Sequence, residues 1–122
     1  MTELRKHGWV LAFVCSAVAA CGGAALPAES LTSAQSAVRA AEVGDAETHP
    51  QASLHLKYAR DQIEEAKRLI EDGDNERAKY VLERAEADAA VALGIARERA
   101  ARAEADKAIA ELAELKQKLE KK

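Results

Sequence analysis

The stretch Leu56 to Ala89, LKYARDQIEEAKRLIEDGDNERAKYVLERAEADA, decides the fold. Its apolar residues Leu56, Ala59, Ile63, Ala66 and Ile70 are spaced 3, 4, 3, 4, the period of one helical face. Charged residues fill the other faces, with Glu64 and Arg68 in a favourable i,i+4 order. The stripe stops at Glu71-Asp72-Gly73-Asp74, where Gly73 supplies the left-handed conformation that ends a helix and Asp74 caps the next. Beyond the turn a second stripe runs through Ala78, Val81 or Leu82, Ala85, Ala89, Ala92 and Ala96. Two amphipathic helices joined so tightly fold back as an αα-hairpin. Alanine facing Leu and Ile in the seam lets the two backbones approach closely.

Towards the N-terminus, Pro50 suits the first turn of the leading hairpin helix, with Thr48 or His49 as cap. Asp45 to His49 reads as a loop. Before it, Leu31, Ala34, Val38 and Ala41 mark a short helix that Ser30 caps and Gly44 closes, a third member packing across the hairpin. Towards the C-terminus no Pro follows Asp74 and the only Gly is Gly94, so one helix is expected to about Leu119, nearly 70 Å at 1.5 Å per residue. Between Arg97 and Lys107 its apolar face is alanine alone and the register drifts. Ile109, Leu112, Lys116 and Leu119, with Leu115 beside them, form a last apolar stretch that has no partner within the chain. It must be solvated, self-associate or meet another protein. Lys116, Lys118, Lys121 and Lys122 complement the helix dipole at this end. Strands are not expected, because β-branched residues are sparse and nothing alternates. The expected class is all-α: an elongated αα-hairpin with a short N-terminal helix and a long Ala-rich C-terminal helix.

The first third of the chain reads as an export signal. Arg5 and Lys6 lie ahead of the uncharged run Trp9 to Val18, and small residues Ala19 and Ala20 precede Cys21. Val18-Ala19-Ala20-Cys21 looks like the lipobox of bacterial lipoproteins. That resemblance implies cleavage between Ala20 and Cys21 and acylation of Cys21. Two other readings stand beside it: an ordinary peptidase site at Ala17-Val18-Ala19, or an uncleaved anchor over Trp9 to Leu26. Gly22, Gly23 and Pro27 oppose the anchor by weakening a continuous helix. Gly22 follows the cysteine where enterobacterial lipoproteins retained in the inner membrane carry aspartate. The resemblance thus implies an outer-membrane, periplasm-facing location. The chain then divides into a signal peptide over 1–20, a tether over 21–29, a hairpin domain over 30–96 and a helical extension over 97–122.

Loss of residues 1–20 removes Arg5, Lys6 and Glu3 and leaves 16 basic against 20 acidic residues. A mildly acidic balance gives no reason to expect nucleic acid as partner. With Trp9 and Phe13 gone, Tyr58 and Tyr80 are the remaining aromatics and are expected to pack within the hairpin. Cys15 leaves with the signal, so no disulfide forms within one mature chain.

Residues from about Leu31 to Ala96 resemble the bacterial domain of unknown function 4398. The resemblance rests on Ser36-Ala37-Val38-Arg39-Ala40-Ala41, on Leu54 with Ala59, Arg60, Ile63 and Ala66, on Gly73-Asp74 with Ala78, and on Leu82, Ala85, Asp88 and Ala89. It implies a small envelope protein and brings no catalytic residues. Ala66, Leu69, Ala78, Leu82 and Ala85 also fit one tetratricopeptide-repeat hairpin, but a solenoid needs about three stacked repeats.

No catalytic, cofactor or metal site is expected. His49 and His55 are six apart across a loop–helix boundary and read as surface residues. Glu64-Glu65, Glu71-Asp72 and the pair Glu86 and Asp88 read as solvated faces, since acid–base work needs facing carboxylates in a pocket. Asp72-Gly73-Asp74-Asn75 lacks the remaining spacing of a calcium loop. The expectation is a non-enzymatic cell-envelope scaffold or adaptor without a small-molecule substrate. It is anchored at Cys21 and meets a protein partner or a second copy through Ile109, Leu112, Leu115 and Leu119. The alternative is a structural tether resembling the Braun-type lipoprotein, with Lys122 joined to peptidoglycan.

Overall fold

The computed structural model describes residues 25–121. The order is α1 (Ala28–Val43), a 3-10 turn (Ala46–Thr48), α2 (Pro50–Glu71) and α3 (Asn75–Glu120). No strand occurs among the described residues. The expected all-α architecture holds: α2 and the first half of α3 form the hairpin, α1 lies across it, and α3 runs on alone.

The α2–α3 turn follows from its residues. Gly73 adopts a φ of 82°, which glycine reaches without a Cβ penalty. The Asp74 amide donates to Leu69 O at 2.8 Å and the Gly73 amide to Ile70 O at 3.0 Å, the pair of bonds that satisfies the last carbonyls of α2. Asp74 then turns from stop to start: its Oδ1 accepts from the Arg77 amide at 3.2 Å, replacing a partner that the first turn of α3 lacks.

The other junction differs from expectation. α1 begins at Ala28, two residues before Ser30, with Pro27 at the cap position and no side-chain cap bond. Ser30 is therefore inside the helix, and a proline that has no amide to satisfy starts it. At α2 the expected positions hold: His49 is the cap residue and Pro50 occupies the first turn, although His49 makes no side-chain cap bond. Gly44 closes α1, its amide donating to Ala40 O at 3.0 Å. The left-handed residue is Asp45, at φ 60°, a conformation that Asp tolerates better than most side chains. What the glycine supplies is space: a Cβ on Gly44 would lie 2.5 Å from Leu93 Cδ1 of α3. The expected loop Asp45–His49 contains a turn of 3-10 helix because Ala46 is fully buried, which pulls the backbone onto the bundle.

The core is a single cluster. Ala34, Val38, Ala41 and Ala46 meet Ala52, Leu56, Ala59, Ile63 and Ala66 of α2 and Ala78, Val81, Leu82, Ala85, Ala89, Ala92 and Ala96 of α3. Eleven of these sixteen residues are alanine, so close backbone approach replaces side-chain bulk; helices in such contact sit at the short end of the usual 8–10 Å interaxial range. α3 is the spine, in extensive contact with both other helices, while α1 and α2 touch each other much less. No charged or polar residue is buried among the described residues.

The packing also fixes the direction of each helix. The C-terminal end of α1 abuts Leu93 through Gly44, and every described residue of α3 after Ala96 is exposed. α1 must therefore run back along the bundle, parallel to α3. Its start, with buried Pro27, lies at the same end as the α2–α3 turn, and the bare part of α3 leaves from the opposite end.

Candidate interaction surface

Beyond Ala96, α3 continues for roughly 36 Å at 1.5 Å per residue with no cover from the described residues. Ile109, Leu112, Leu115 and Leu119 are 65, 59, 55 and 75% exposed. The expected unpartnered end is thus present, and it begins at the expected place. A bare helix of this length persists for local reasons. It grows from a packed helix, so the costly nucleation step is already complete, and alanine has the best intrinsic propensity. Ion pairs one turn apart join Arg102 to Glu98 at 2.5 Å, Lys118 to Glu114 at 2.6 Å and Lys107 to Glu111 at 4.0 Å. Each exposed pair contributes about 0.3–0.5 kcal/mol. Lys116 makes no ion pair or hydrogen bond with any described residue.

The leucine face is not an extension of the hairpin seam. Continued at the same spacing, the buried stripe that ends at Ala96 would fall on Arg99, Ala103, Asp106, Ala110, Ala113 and Gln117. Leu112, Leu115 and Leu119, preceded by Ala105 and Ala108, stand roughly 150° around the helix from it, at about 100° per residue. The drift through the alanine segment moves the apolar stripe almost to the opposite side of α3. Leucines placed there point away from α1 and α2.

A second feature lies inside the bundle, among residues expected to be solvated. His55 on α2 is half-buried, and its Nδ1–H donates to Asp88 Oδ1 on α3 at 3.0 Å. Gln62, seven residues further along α2, donates from Nε2 to Asp88 Oδ2 at 2.9 Å. Both carboxylate oxygens are thus held by α2, so neither His55 nor Asp88 is a plain surface residue. Burial pushes the Asp88 carboxyl up, but the hydrogen bonds from His55 and Gln62, with the His55 and Arg84 charges, outweigh it and hold the group below its usual range. His55 and Asp88 are 33 positions apart, and only the antiparallel register of the hairpin brings them together. The periodicity of α2 and α3 contains that register, but no local motif marks it.

Tyr58 and Tyr80 do not pack within the hairpin; they are 44 and 60% exposed. A seam of alanines is too close for a phenol ring, and both residues stand off the buried stripes. Tyr58 sets its ring edge-on to His55, with centroids 6.2 Å apart, and so shields the polar pair from one side.

Between α1 and α2 runs an open groove of about 470 Å³, with Val38 and Ile63 on its floor and Gln35, Arg39, Glu42, Arg60, Glu64 and Lys67 around it. Three cations, Arg39, Arg60 and Lys67, line it against two carboxylates, Glu42 and Glu64, and Arg60 and Lys67 are both held in ion pairs. Arg60 donates to Glu42 of α1 and, at 2.6 Å, to Glu47 of the 3-10 turn, and these bonds raise its pKa. The arginine is thereby a clasp across the α1–α2 junction.

Among the described residues no three His, Cys, Asp or Glu side chains converge as a metal site, and no helix is long and apolar enough to cross a membrane. Ala20 and Cys21, the expected cleavage and lipidation residues, lie outside the described residues, as does Lys122. The profile of a family described as a domain of unknown function, DUF4398, matches residues 29–112. No curated protein and no solved structure matches the chain.

Proposed function

The chain belongs to the DUF4398 family, and we propose that within it this member is a non-enzymatic bacterial cell-envelope lipoprotein, a periplasm-facing helical scaffold anchored through Cys21. The observation that carries the reading is the polarity of the rod. The described chain begins beside the α2–α3 turn, with Pro27 buried at the start of α1, and the uncovered leucine face leaves from the far end. A chain held by lipid at Cys21 would present Leu112, Leu115 and Leu119 away from the bilayer, where a partner can reach them. The Val18-Ala19-Ala20-Cys21 motif behind a charged start and an apolar run supports the anchor. Each buried methylene is worth about 0.8 kcal/mol; one acyl chain binds a membrane only marginally and reversibly, whereas two or three anchor it stably.

The scaffold role is supported by what the bundle is made of. Its core is mostly alanine, the groove between α1 and α2 is open and its Arg60 and Lys67 are tied up in ion pairs, and its half-buried polar cluster pairs an aspartate with a histidine and an amide, with no hydroxyl, thiol or amine among them. Hydrogen bonds there fix helix register; they do not converge on an open cavity.

Intact mass of the protein isolated from its membranes tests the anchor. The expected species starts at Cys21 and carries the added mass of a diacylglycerol, and Cys21→Ala moves the chain into the soluble fraction. A chain that retains residues 1–20, or that floats free with an unmodified thiol, removes both the location and the scaffold reading. One observation favours a second role as a wall tether: α3 ends at Glu120, the far end from the proposed anchor. In that role, wall digestion releases a C-terminal peptide bearing a muropeptide on Lys122.

A further inference from the structure

We infer that the Leu112–Leu115–Leu119 face of α3 seats the same face of a second copy of this chain, the two helices running parallel and in register. The inference rests on the anchored reading for its direction, since two chains held at one membrane surface point the same way. Confinement at that surface also supplies effective concentration, while the apolar pattern and the charge pairing are independent of the anchor.

Ala105, Ala108, Leu112, Leu115 and Leu119 are spaced 3, 4, 3, 4, the core pattern of a coiled coil. All lie on the exposed half of α3. This face stands roughly 150° from the seam that α1 and α2 cover, at about 100° per residue. When two extensions meet along it, both bundles therefore point outward and do not collide. Had the leucines continued the seam, the bundles would have faced each other across the same side.

Charge selects the parallel register. In a parallel two-helix coil, the residue just before one core position faces the residue five places later on the other helix. Here those residues are Glu111, whose own-chain partner Lys107 stands off at 4.0 Å, and Lys116, and two-fold symmetry makes the contact twice. Lys116 is the flanking cation that makes no ion pair with any described residue of its own chain. Lys118, which an antiparallel pairing would set against Glu111, is held by Glu114 at 2.6 Å. Arg102, the preceding flanking cation, is taken by Glu98 at 2.5 Å. With fewer than three heptads the contact is weak for free chains in dilute solution, and confinement on one surface supplies the effective concentration that favours it.

The test is oxidative cross-linking of the full-length chain in its own membranes, with the joined sulfurs read by peptide mass spectrometry. Leu115→Cys is expected to move most of the chain to twice its mass, while Gln117→Cys, on the far side of the helix, stays single. Glu111→Lys in the Leu115→Cys background lowers the dimer yield roughly fivefold to tenfold, the size expected for reversing two exposed pairs. Adding Lys116→Glu restores it. A Leu115→Cys chain that stays single, joins a different protein, or cross-links no better than Gln117→Cys overturns the inference. Loss without rescue by Lys116→Glu overturns the parallel register. A disulfide through Cys21 in the parent chain reports a free thiol, and so counts against the anchor and leaves the leucine contact to its own readout.

Discussion

The two halves of α3 are built from similar residues and do different work. From Asn75 to Ala96 the helix carries Ala78, Val81, Leu82, Ala85, Ala89 and Ala92, all buried by α1 and α2. From Arg97 onward it is as rich in alanine and has larger apolar residues at its end, yet no described residue there is buried. Composition therefore does not decide burial along this helix. Burial is decided by cover: α1 and α2 pack only as far as Ala96, so Ala103, Ala110 and Ala113, which continue the seam, are as exposed as the leucines that have turned to the opposite side. One half holds the fold together and the other is held out by it.

The sharpest way to break this comparison is to remove a leucine from each half. Leu82 is fully buried and among the largest side chains of the core. Leu82→Ala is expected to lower stability by about 2–4 kcal/mol, a transfer loss plus a cavity. Leu112→Ala, on the bare half, should move it by less than about 0.5 kcal/mol. Urea unfolding followed by circular dichroism in dilute solution measures both. Equal losses would mean that the extension folds onto the bundle.

Adding volume asks the same question in reverse. Ala85 is fully buried, whereas Ala103 is exposed. Ala85→Leu forces apart a seam built on close approach and is expected to cost about 1–3 kcal/mol. Ala103→Leu meets only solvent and, with leucine nearly as good a helix former as alanine, should be close to neutral. A tolerated Ala85→Leu would show that α2 and α3 have room to spare, contrary to their alanine interface.

The smallest effect is a dependence on acidity that arises at Asp88 in the packed half. The Asp88 carboxyl is depressed by His55, Gln62 and Arg84 against the opposing pull of burial. A carboxylate with a folded pKa below its unfolded value, near 3.9 for Asp, contributes stability that is fully present above the unfolded value. That contribution is lost as pH falls through the folded one. Unfolding midpoints measured between about pH 5 and pH 2 should therefore decline with a slope that Asp88→Asn reduces. If Asp88→Asn has the same profile as the parent chain, His55 and Gln62 do not hold the carboxylate in solution.

The same contrast separates what is legible in the sequence from what is not. The stop at Gly73 and the start at Asp74 are legible because each depends on a local chemical need: φ of positive sign for the glycine, an acceptor for orphan amides from the aspartate. The stripes of α2 and α3 are legible because burial in a helix recurs every three or four residues. The start of α1 departs from expectation for the complementary reason. Ser30 is able to cap, but Pro27 already determines where that helix begins, whereas His49 and Pro50 take the cap and first-turn positions of α2 as expected. Tyr58 and Tyr80 depart from it because aromatic character alone does not place a residue in a core; phase does, and both fall between the buried positions.

By itself the sequence determined that the described chain is helical, where its main turn lies, that its core is alanine, and that its last helix outruns its partners. Each of these follows from propensity and period, which act over a few residues and leave a mark in order alone. Tertiary structure decided the rest. It set α1 parallel to α3, with the entering chain at one end and the leucine face at the other. It joined His55 and Gln62 to Asp88 across 33 and 26 positions. Such outcomes depend on how whole helices settle against one another, a choice that close backbone packing makes between surfaces distant in the chain.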